Sequence, residues 1–159
     1  MADLIRDMEW RDVLQDASEG AREALTAGPL TAYAGFDPTA SSLHVGNLMP
    51  ILGLARLQRA GHTPIAVVGG GTGLIGDPSG KAVERSLQTP EQVDTNVAGI
   101  RAQLERFLDF GATGNPARLV NNADWLTTMS AMAFLRDVGK YFTVSHMLAK
   151  ESIRRRVES

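Results

Sequence analysis

The sequence predicts an α/β domain built on a parallel sheet, and three observations carry that reading. Residues 31–36 (TAYAGF), 63–69 (TPIAVVG) and 116–120 (PARLV) are short runs rich in apolar and β-branched residues, which read as strands. The segments between them carry apolar residues at helical spacing. Glycine or proline stands at the joints. Strands separated by stretches long enough for a helix pair in parallel, because a parallel partner is reached only through a crossover connection.

Each element has its own signal. Leu4, Met8, Val13 and Leu14 suggest one short helix, Ala21, Ala24 and Leu25 a second, and Gly28-Pro29 ends the pair. Residues 1–30 therefore read as an N-terminal helical segment ahead of a main unit at 31–159. The first strand leads through the loop DPTASS to a helix over residues 48–60. There Leu48, Ile51, Leu52, Ala55 and Leu57 are apolar and Gly61 is the stop. A long glycine-rich loop is expected over residues 69–88 after the second strand. Pro90 opens the next helix, through which Val93, Val97, Ile100, Leu104, Phe107 and Leu108 step by three and four. Beyond the third strand, residues 129–138 and 144–157 read as two more helices joined near Gly139. Parallel sheets bind ligands at the carboxyl ends of their strands, which is where the loops after the first two strands lie.

Bulk properties narrow the function. A chain of 159 residues buries one ordinary core, and 43% hydrophobic with 21% charged residues is normal for a soluble globular protein. No apolar run approaches the roughly 18 residues of a membrane span. The first residues, MADLIRDMEWRD, are acidic and lack the apolar core of a signal peptide, so a cytoplasmic chain without membrane contact is expected. The chain has no cysteine, which excludes disulfides, thiolate metal sites and cysteine nucleophiles. A net charge of −2 gives no global attraction to nucleic acid, so any RNA contact must be local.

Two stretches carry chemistry. In residues 69–81, GGGTGLIGDPSGK, Gly71, Gly73 and Gly76 fit the dinucleotide pattern G-x-G-x-x-G. That pattern needs its third glycine inside a helix, but Asp77-Pro78-Ser79-Gly80 follow Gly76, so no helix is expected there to receive a pyrophosphate. Glu91 stands at about the distance of a ribose-binding acid, a common coincidence. A phosphate-binding P-loop also fails, since the spacing from Gly76 to Gly80 is one residue short and Ala82 follows Lys81. Glycines at this density lose extra entropy on ordering and make sense where backbone approaches a ligand closely, with Asp77 as a carboxylate for an ammonium group. The other stretch is residues 33–47, YAGFDPTASSLHVGN. Its His44-Val-Gly46 stands at the start of a helix, where imidazole and free backbone N–H groups can meet phosphate oxygens. Taken alone, His-x-Gly reads first as a helix cap with a partly buried histidine.

Those two stretches together with NPARLVNNADWL, in this order and spacing, resemble bacterial-type tyrosyl-tRNA synthetases, which are class I aminoacyl-tRNA synthetases. The resemblance runs from about residue 30 to the last residue. It implies a Rossmann-like (HUP-type) parallel sheet with helices on both faces. Residues 31–159 would be the nucleotide-binding half of an incomplete catalytic domain. The implied activity is tyrosine–tRNA ligation: ATP activates tyrosine to tyrosyl-adenylate, which is passed to tRNA-Tyr.

The resemblance also implies roles. His44-Val45-Gly46-Asn47 corresponds to the family's His-Ile-Gly-His signature, with His44 on the phosphates in the transition state and Thr39 assisting. Gly35, Asp37, Gly46 and Asn47 would hold ATP. Tyr33 would reach the phenolic hydroxyl of tyrosine and Asp77 its ammonium, Thr72 would help frame that end, and Asn122 would support the tyrosine side of the pocket indirectly. Lys81 and Arg85 would approach the pyrophosphate, with a solvated loop as the alternative. Asn47 replaces the second histidine of the signature, so it can donate a hydrogen bond but carry no proton. Mg2+ would accompany ATP, no tightly bound cofactor and no resident metal is implied, and a homodimer is the family's assembly. His44 and Asp77 should then face a common cleft.

The sequence ends at KESIRRRVES, ahead of the family's second, lysine-bearing signature and its anticodon-binding region. The expectation is therefore a fragment with weak activity or none alone. Lys150, Arg154, Arg155 and Arg156 form a basic run that is either a solvated helix face or a contact for the tRNA acceptor end. Two other readings compete. One is a small adenylyltransferase with a His-x-Gly-His signature. The other is a fragment that binds nucleotide or a partner chain without catalysis.

Overall fold

A computed structural model of the chain describes residues 3–75, 88–150, 153, 154 and 157. Strands β1 (Thr31–Phe36), β2 (Thr63–Val68) and β3 (Arg118–Asn121) form one sheet in that spatial order, and both pairings are parallel. The register runs from Thr31 opposite Thr63 to Phe36 opposite Val68, and from Ile65 opposite Arg118 to Val68 opposite Asn121. The helices are α1 (Leu4–Trp10), α2 (Ala21–Ala27), α3 (Leu48–Arg59), α4 (Gly70–Ile75), α5 (Pro90–Leu104), α6 (Ala123–Leu126), α7 (Ala131–Asp137) and α8 (Val144–Leu148).

The strand order dictates where the core lies. Two successive right-handed crossovers that advance in the same direction put their helices on the same face of the sheet. The core has that form. Phe36, Ala66 and Val68 of the sheet meet Ile51, Leu54 and Ala55 of α3 and Ile100 and Leu104 of α5. Residues on the opposite pleat stay more accessible: Tyr33 is 76% exposed, Gly35 is exposed, and Ile65 and Val67 are half-buried. Helices were expected on both faces; among the described residues α3 and α5 cover one, and the Tyr33 side of β1 is open.

Local chemistry sets most element ends. Gly61, at φ 92°, lets the chain reverse after α3 at little steric cost. Thr89 caps α5 by accepting from the N–H of Gln92 at 3.3 Å, and Pro90 takes the first helical position. The expected continuation of α5 through Phe107 and Leu108 is not formed. Both of their N–H groups donate to the Leu104 carbonyl at 3.0 Å, which tightens the chain into a turn, and Leu108 is still buried. β3 begins later than expected because the Ala117 N–H donates to Asp109 O at 2.9 Å rather than into the sheet. Helices α7 and α8 start at Ser130 and Thr143, whose side chains accept from the N–H groups of Ala133 and His146. α8 ends well short of the expected 144–157 span; Arg154 is helical, and Arg155 and Arg156 lie outside the described residues.

The N-terminal segment is tied to this body. Leu4 and Ile5 are buried, and Asp7 pairs with Arg56 of α3 at 3.3 Å. Arg22 of α2 reaches back to Asp3 at 2.7 Å and Glu9 at 2.6 Å. The first helix ends at Trp10 rather than continuing to Val13 and Leu14, and Asp12 turns the chain with φ 54°.

Candidate active site

Three loops leave the carboxyl edge of the sheet, one from each strand. The loop after β1 continues the alternation that exposes Tyr33 and Gly35, and Asp37 and Thr39 are exposed in turn while Phe36 and Pro38 are buried. A Cβ on Gly35 would meet nothing within 4 Å, so the backbone there is open to a close approach. Asp37 lies beside the end of β2, its Oδ1 3.4 Å from where a Gly69 Cβ would stand. Gly69 N–H donates to Phe36 O at 2.9 Å, which holds the first two loops side by side.

His44 precedes a 3-10 turn, Val45–Asn47, that runs into α3. Its N–H donates to Asn47 Oδ1 at 3.0 Å, and the Asn47 N–H donates to His44 O at 2.9 Å. The alternative reading of His-x-Gly is a cap with a partly buried histidine; His44 does stand at the N-cap position, in a capping box with Asn47, but it is exposed. Asparagine at 47 supplies an uncharged acceptor to this turn. A Cβ on Gly46 would come within 3.0 Å of His44 Cε1 and Nδ1, so the missing side chain at 46 makes room for the imidazole itself.

The second loop departs from expectation. The glycine-rich stretch does not run as an open loop from residue 69; it enters α4 at Gly70. The physical reason is the Asn121-Asn122 pair at the end of β3. Asn121 Oδ1 accepts from Gly70 N–H at 3.1 Å and from Ala123 N–H at 3.0 Å. Asn122 Oδ1 accepts from Gly71 N–H at 2.7 Å and more distantly from Thr72 N–H at 3.4 Å. Asn122 Nδ2 donates to Thr72 Oγ1 at 3.1 Å, and that hydroxyl donates to Gly69 O at 3.2 Å. Added Cβ atoms explain the glycines: one on Gly70 would collide with the Asn121 side chain, and one on Gly71 would sit 3.2 Å from the Ala123 Cα.

This arrangement adds a reason for rejecting a dinucleotide. A helix does follow β2, but it spans Gly70–Ile75, ahead of the third glycine of the pattern; Gly76 and the residues after it, where the sequence argument expects no helix, lie outside the described residues. The first N–H groups of α4 are already taken by two asparagine oxygens, which leaves no ready anion cradle there. Glu91 is likewise a local residue. Its carboxylate is held below the usual range by its own backbone N–H and by Thr89, at the start of α5.

The structure thus joins Thr72 to Asn122 directly. It sets Tyr33 and Gly35 on one open pleat and puts Asp37, Thr39 and His44 on one loop. Asp77, Lys81 and Arg85 lie outside the described residues, so the cleft expected between His44 and Asp77 is described on one side only. Among the described residues no group of three or more His, Asp or Glu side chains could hold a metal ion. Sequence reasoning missed Asn121, whose signal was a doublet of capping residues at a strand end. It also missed Asn96, which is only 2% exposed and donates to Pro38 O at 2.9 Å.

Comparison with known proteins agrees with this geometry. A family model described as tRNA synthetases class I (W and Y) matches residues 25–159. The tyrosine–tRNA ligase of Opitutus terrae is 56% identical over 158 residues, covering 98% of this chain and 37% of that protein. That of Roseiflexus castenholzii is 55% identical over 159 residues, covering 100% and 38%. In structure, a C-terminally truncated mitochondrial tyrosyl-tRNA synthetase from Coccidioides posadasii matches with a TM-score of 0.79 and 25% identity, over 99% of this chain and 46% of that one. The chain spans 37–38% of the length of these two curated relatives. With a match that takes in all three strands and all three of their loops, the chain belongs to the class I tRNA synthetases of the tryptophan and tyrosine type.

Proposed function

We propose that the chain is the ATP- and tyrosine-binding part of a tyrosine–tRNA ligase, with residues 1–30 as a helical preface and 31–159 as the nucleotide-binding half. The observation that carries this reading is the alternation along β1. It leaves Tyr33 and Gly35 exposed on the open face of the sheet, in line with Asp37 and continuous with the loop that bears Thr39 and His44.

In this reading the carboxylate of tyrosine attacks the α-phosphorus of ATP. The new P–O bond forms as the bond to pyrophosphate breaks, and no covalent enzyme intermediate is required. Negative charge grows on the phosphoryl oxygens and on the leaving pyrophosphate. His44 donates to those oxygens, Thr39 assists, and preorganised donors of this kind act most strongly in the transition state. Gly35 and Gly46 admit the nucleotide, Asp37 holds it, and the amide of Asn47 offers a neutral contact. Tyr33 hydrogen-bonds the phenol of the substrate. Thr72, fixed by Asn122, frames the same pocket. Asp77 on the ammonium, and Lys81 and Arg85 on the pyrophosphate, complete the assignment from the family resemblance. Mg2+ enters as the counter-ion of ATP, and the aminoacyl group passes to tRNA-Tyr.

A homodimer is supported by apolar side chains on and beside the last helices, where Met132 is 76% and Tyr141 71% exposed. No described helix is long and apolar enough to cross a membrane, and the proposed location is the cytoplasm. Lys150 and Arg154, both exposed, are available to tRNA phosphates. The test is tyrosine-dependent exchange of pyrophosphate into ATP, run on this chain and on one extended to the relatives' length. The reading requires exchange by the extended chain with tyrosine. Exchange only with a phosphopantetheine-like acceptor, or none at all, would overturn it.

A further inference from the structure

Helix α5 has no part in the assignments above, yet one of its sides is committed to the loop that carries Thr39 and His44. Asn96, Gly99 and Gln103 follow one another at three and four residues and so line one face of the helix. Each meets a different point of the loop. Asn96 donates to Pro38 O from a buried position. Gly99 lies against Ser41, such that an added Cβ would collide with the Ser41 carbonyl oxygen and stand 3.1 Å from its carbon. Gln103 Oε1 accepts from the N–H of Leu43 at 2.7 Å. Just ahead of the helix, Gln88 Nε2 donates to Thr39 O at 3.2 Å.

The loop has little regular structure of its own between Asp37 and His44, so these contacts decide its path. The helix is a firm base for them, because Ile100 and Leu104 are fully buried in the core. Beside His44, Leu43 packs against the core while the imidazole itself is exposed. A surface hollow between this turn, α3 and the end of α5 has Leu43, His44, Leu48, Ile51, Gln103 and Phe107 among its lining. The Gln103 hydrogen bond to Leu43 lies at its edge, one residue from His44. We infer that Asn96, Gly99 and Gln103 form a rail that positions the His44 loop, and that Gln103 is the positioning residue for His44. The inference rests on the role proposed for His44. Catalytic donors lose effect when displaced by an ångström or less, so a tie at the neighbouring residue matters to the chemistry without touching substrate.

The test has two independent parts. Hydrogen exchange at the Leu43 amide in the full chain needs no activity. Gln103→Leu should expose that amide, while Gln103→Glu, which keeps an acceptor at the same reach, should keep it protected. An amide unaffected by Gln103→Leu overturns the inference. Gly99→Ala is a second probe of the rail, and it should speed exchange along residues 41–43 as the loop is pushed from the helix; unchanged exchange there also overturns it. In the active enzyme, Gln103→Leu should lower kcat for pyrophosphate exchange about three- to tenfold, the worth of one hydrogen bond, with little change in KM for tyrosine. Gln103→Glu should restore the rate. The loss should disappear in a His44→Ala background, because the residue acts through His44; an equal loss in both backgrounds would mark Gln103 as merely structural. If His44→Ala alone leaves exchange unaltered, the proposed role of His44 fails separately, and the catalytic half of this inference falls with it, while the amide data still decide the anchoring.

Discussion

Replacing Asn122 with alanine tests the joint between β3 and the glycine-rich segment. The side chain accepts one short hydrogen bond, from Gly71 N–H at 2.7 Å, and donates another to Thr72 Oγ1 at 3.1 Å. The third contact, from Thr72 N–H at 3.4 Å, is too long to count for much. Two ordinary hydrogen bonds contribute about 1–3 kcal/mol together, and loss of a helix cap costs about the same. The larger end applies here because Gly71 is buried and its N–H would be left without water. Asn122→Asp separates the two halves of the interaction: it keeps the acceptor for Gly71 and loses only the donor to Thr72. Asn122→Asp should therefore cost less than half as much as Asn122→Ala. Urea denaturation followed by circular dichroism reads both values, and thermal melts should show a fall in Tm of about 2–4 °C per kcal/mol for a chain of this size. Equal destabilisation by the two variants, or none by alanine, would show that the asparagine oxygen does not cap α4.

Other expectations follow from single residues. His44→Ala should lower kcat for pyrophosphate exchange far more than it weakens ATP binding, since its charge partner is present mainly in the transition state; equal losses measured by kinetics and calorimetry would assign it to ground-state binding. Tyr33→Phe should raise KM for tyrosine about three- to tenfold while leaving the urea midpoint unchanged, because the exposed side chain contributes little to the core; an unchanged KM would remove Tyr33 from the pocket. Asp3 is held below the usual carboxylate range chiefly by the backbone N–H of Arg6 and further by Arg22. A carboxylate depressed by folding stabilises above its unfolded pKa, and that contribution is lost as pH falls through the folded value. The Tm difference between the wild type and Asp3→Ala should thus be present at neutral pH and close in acid; a gap that persists through the acid limb would contradict the linkage.

What the sequence revealed depended on range. Strands β1 and β2 were legible because apolar runs with clear punctuation are local signals, and α3 and α5 because their apolar stripes and stops are local too. The helical state of Gly70–Ile75 was not legible. Six residues of which three are glycine have poor helical propensity, and the caps that stabilise them come from Asn121 and Asn122, some fifty positions away. The end of α5 was misread for a related reason: Leu108 keeps the helical spacing and is buried, yet reaches the core from a turn. At the candidate site, motif order singled out His44, Thr72 and Asn122, and the structure joins the last two by a hydrogen bond. Asn96, Gly99 and Gln103 could not be found that way, because a polar stripe on a helix looks solvated until the loop packed against it is known.

The open face of β1 and the location of the proposed site have one cause. Strands added in one direction carry their crossover helices to one side, so the sheet built from β1, β2 and β3 is covered where Phe36, Ala66 and Val68 point and left accessible where Tyr33 and Gly35 point. Sheets of this kind bind ligands at the carboxyl edge where the winding changes direction, and the strand at which a change would occur is the first in the order. β1 is that strand. It has β2 on one side and no other strand beside it among the described residues. Tyr33 and Gly35, proposed for tyrosine and ATP, are therefore residues that the topology leaves free of helix. On the opposite pleat, any side chain reaching for a ligand would have to displace the core formed by α3 and α5.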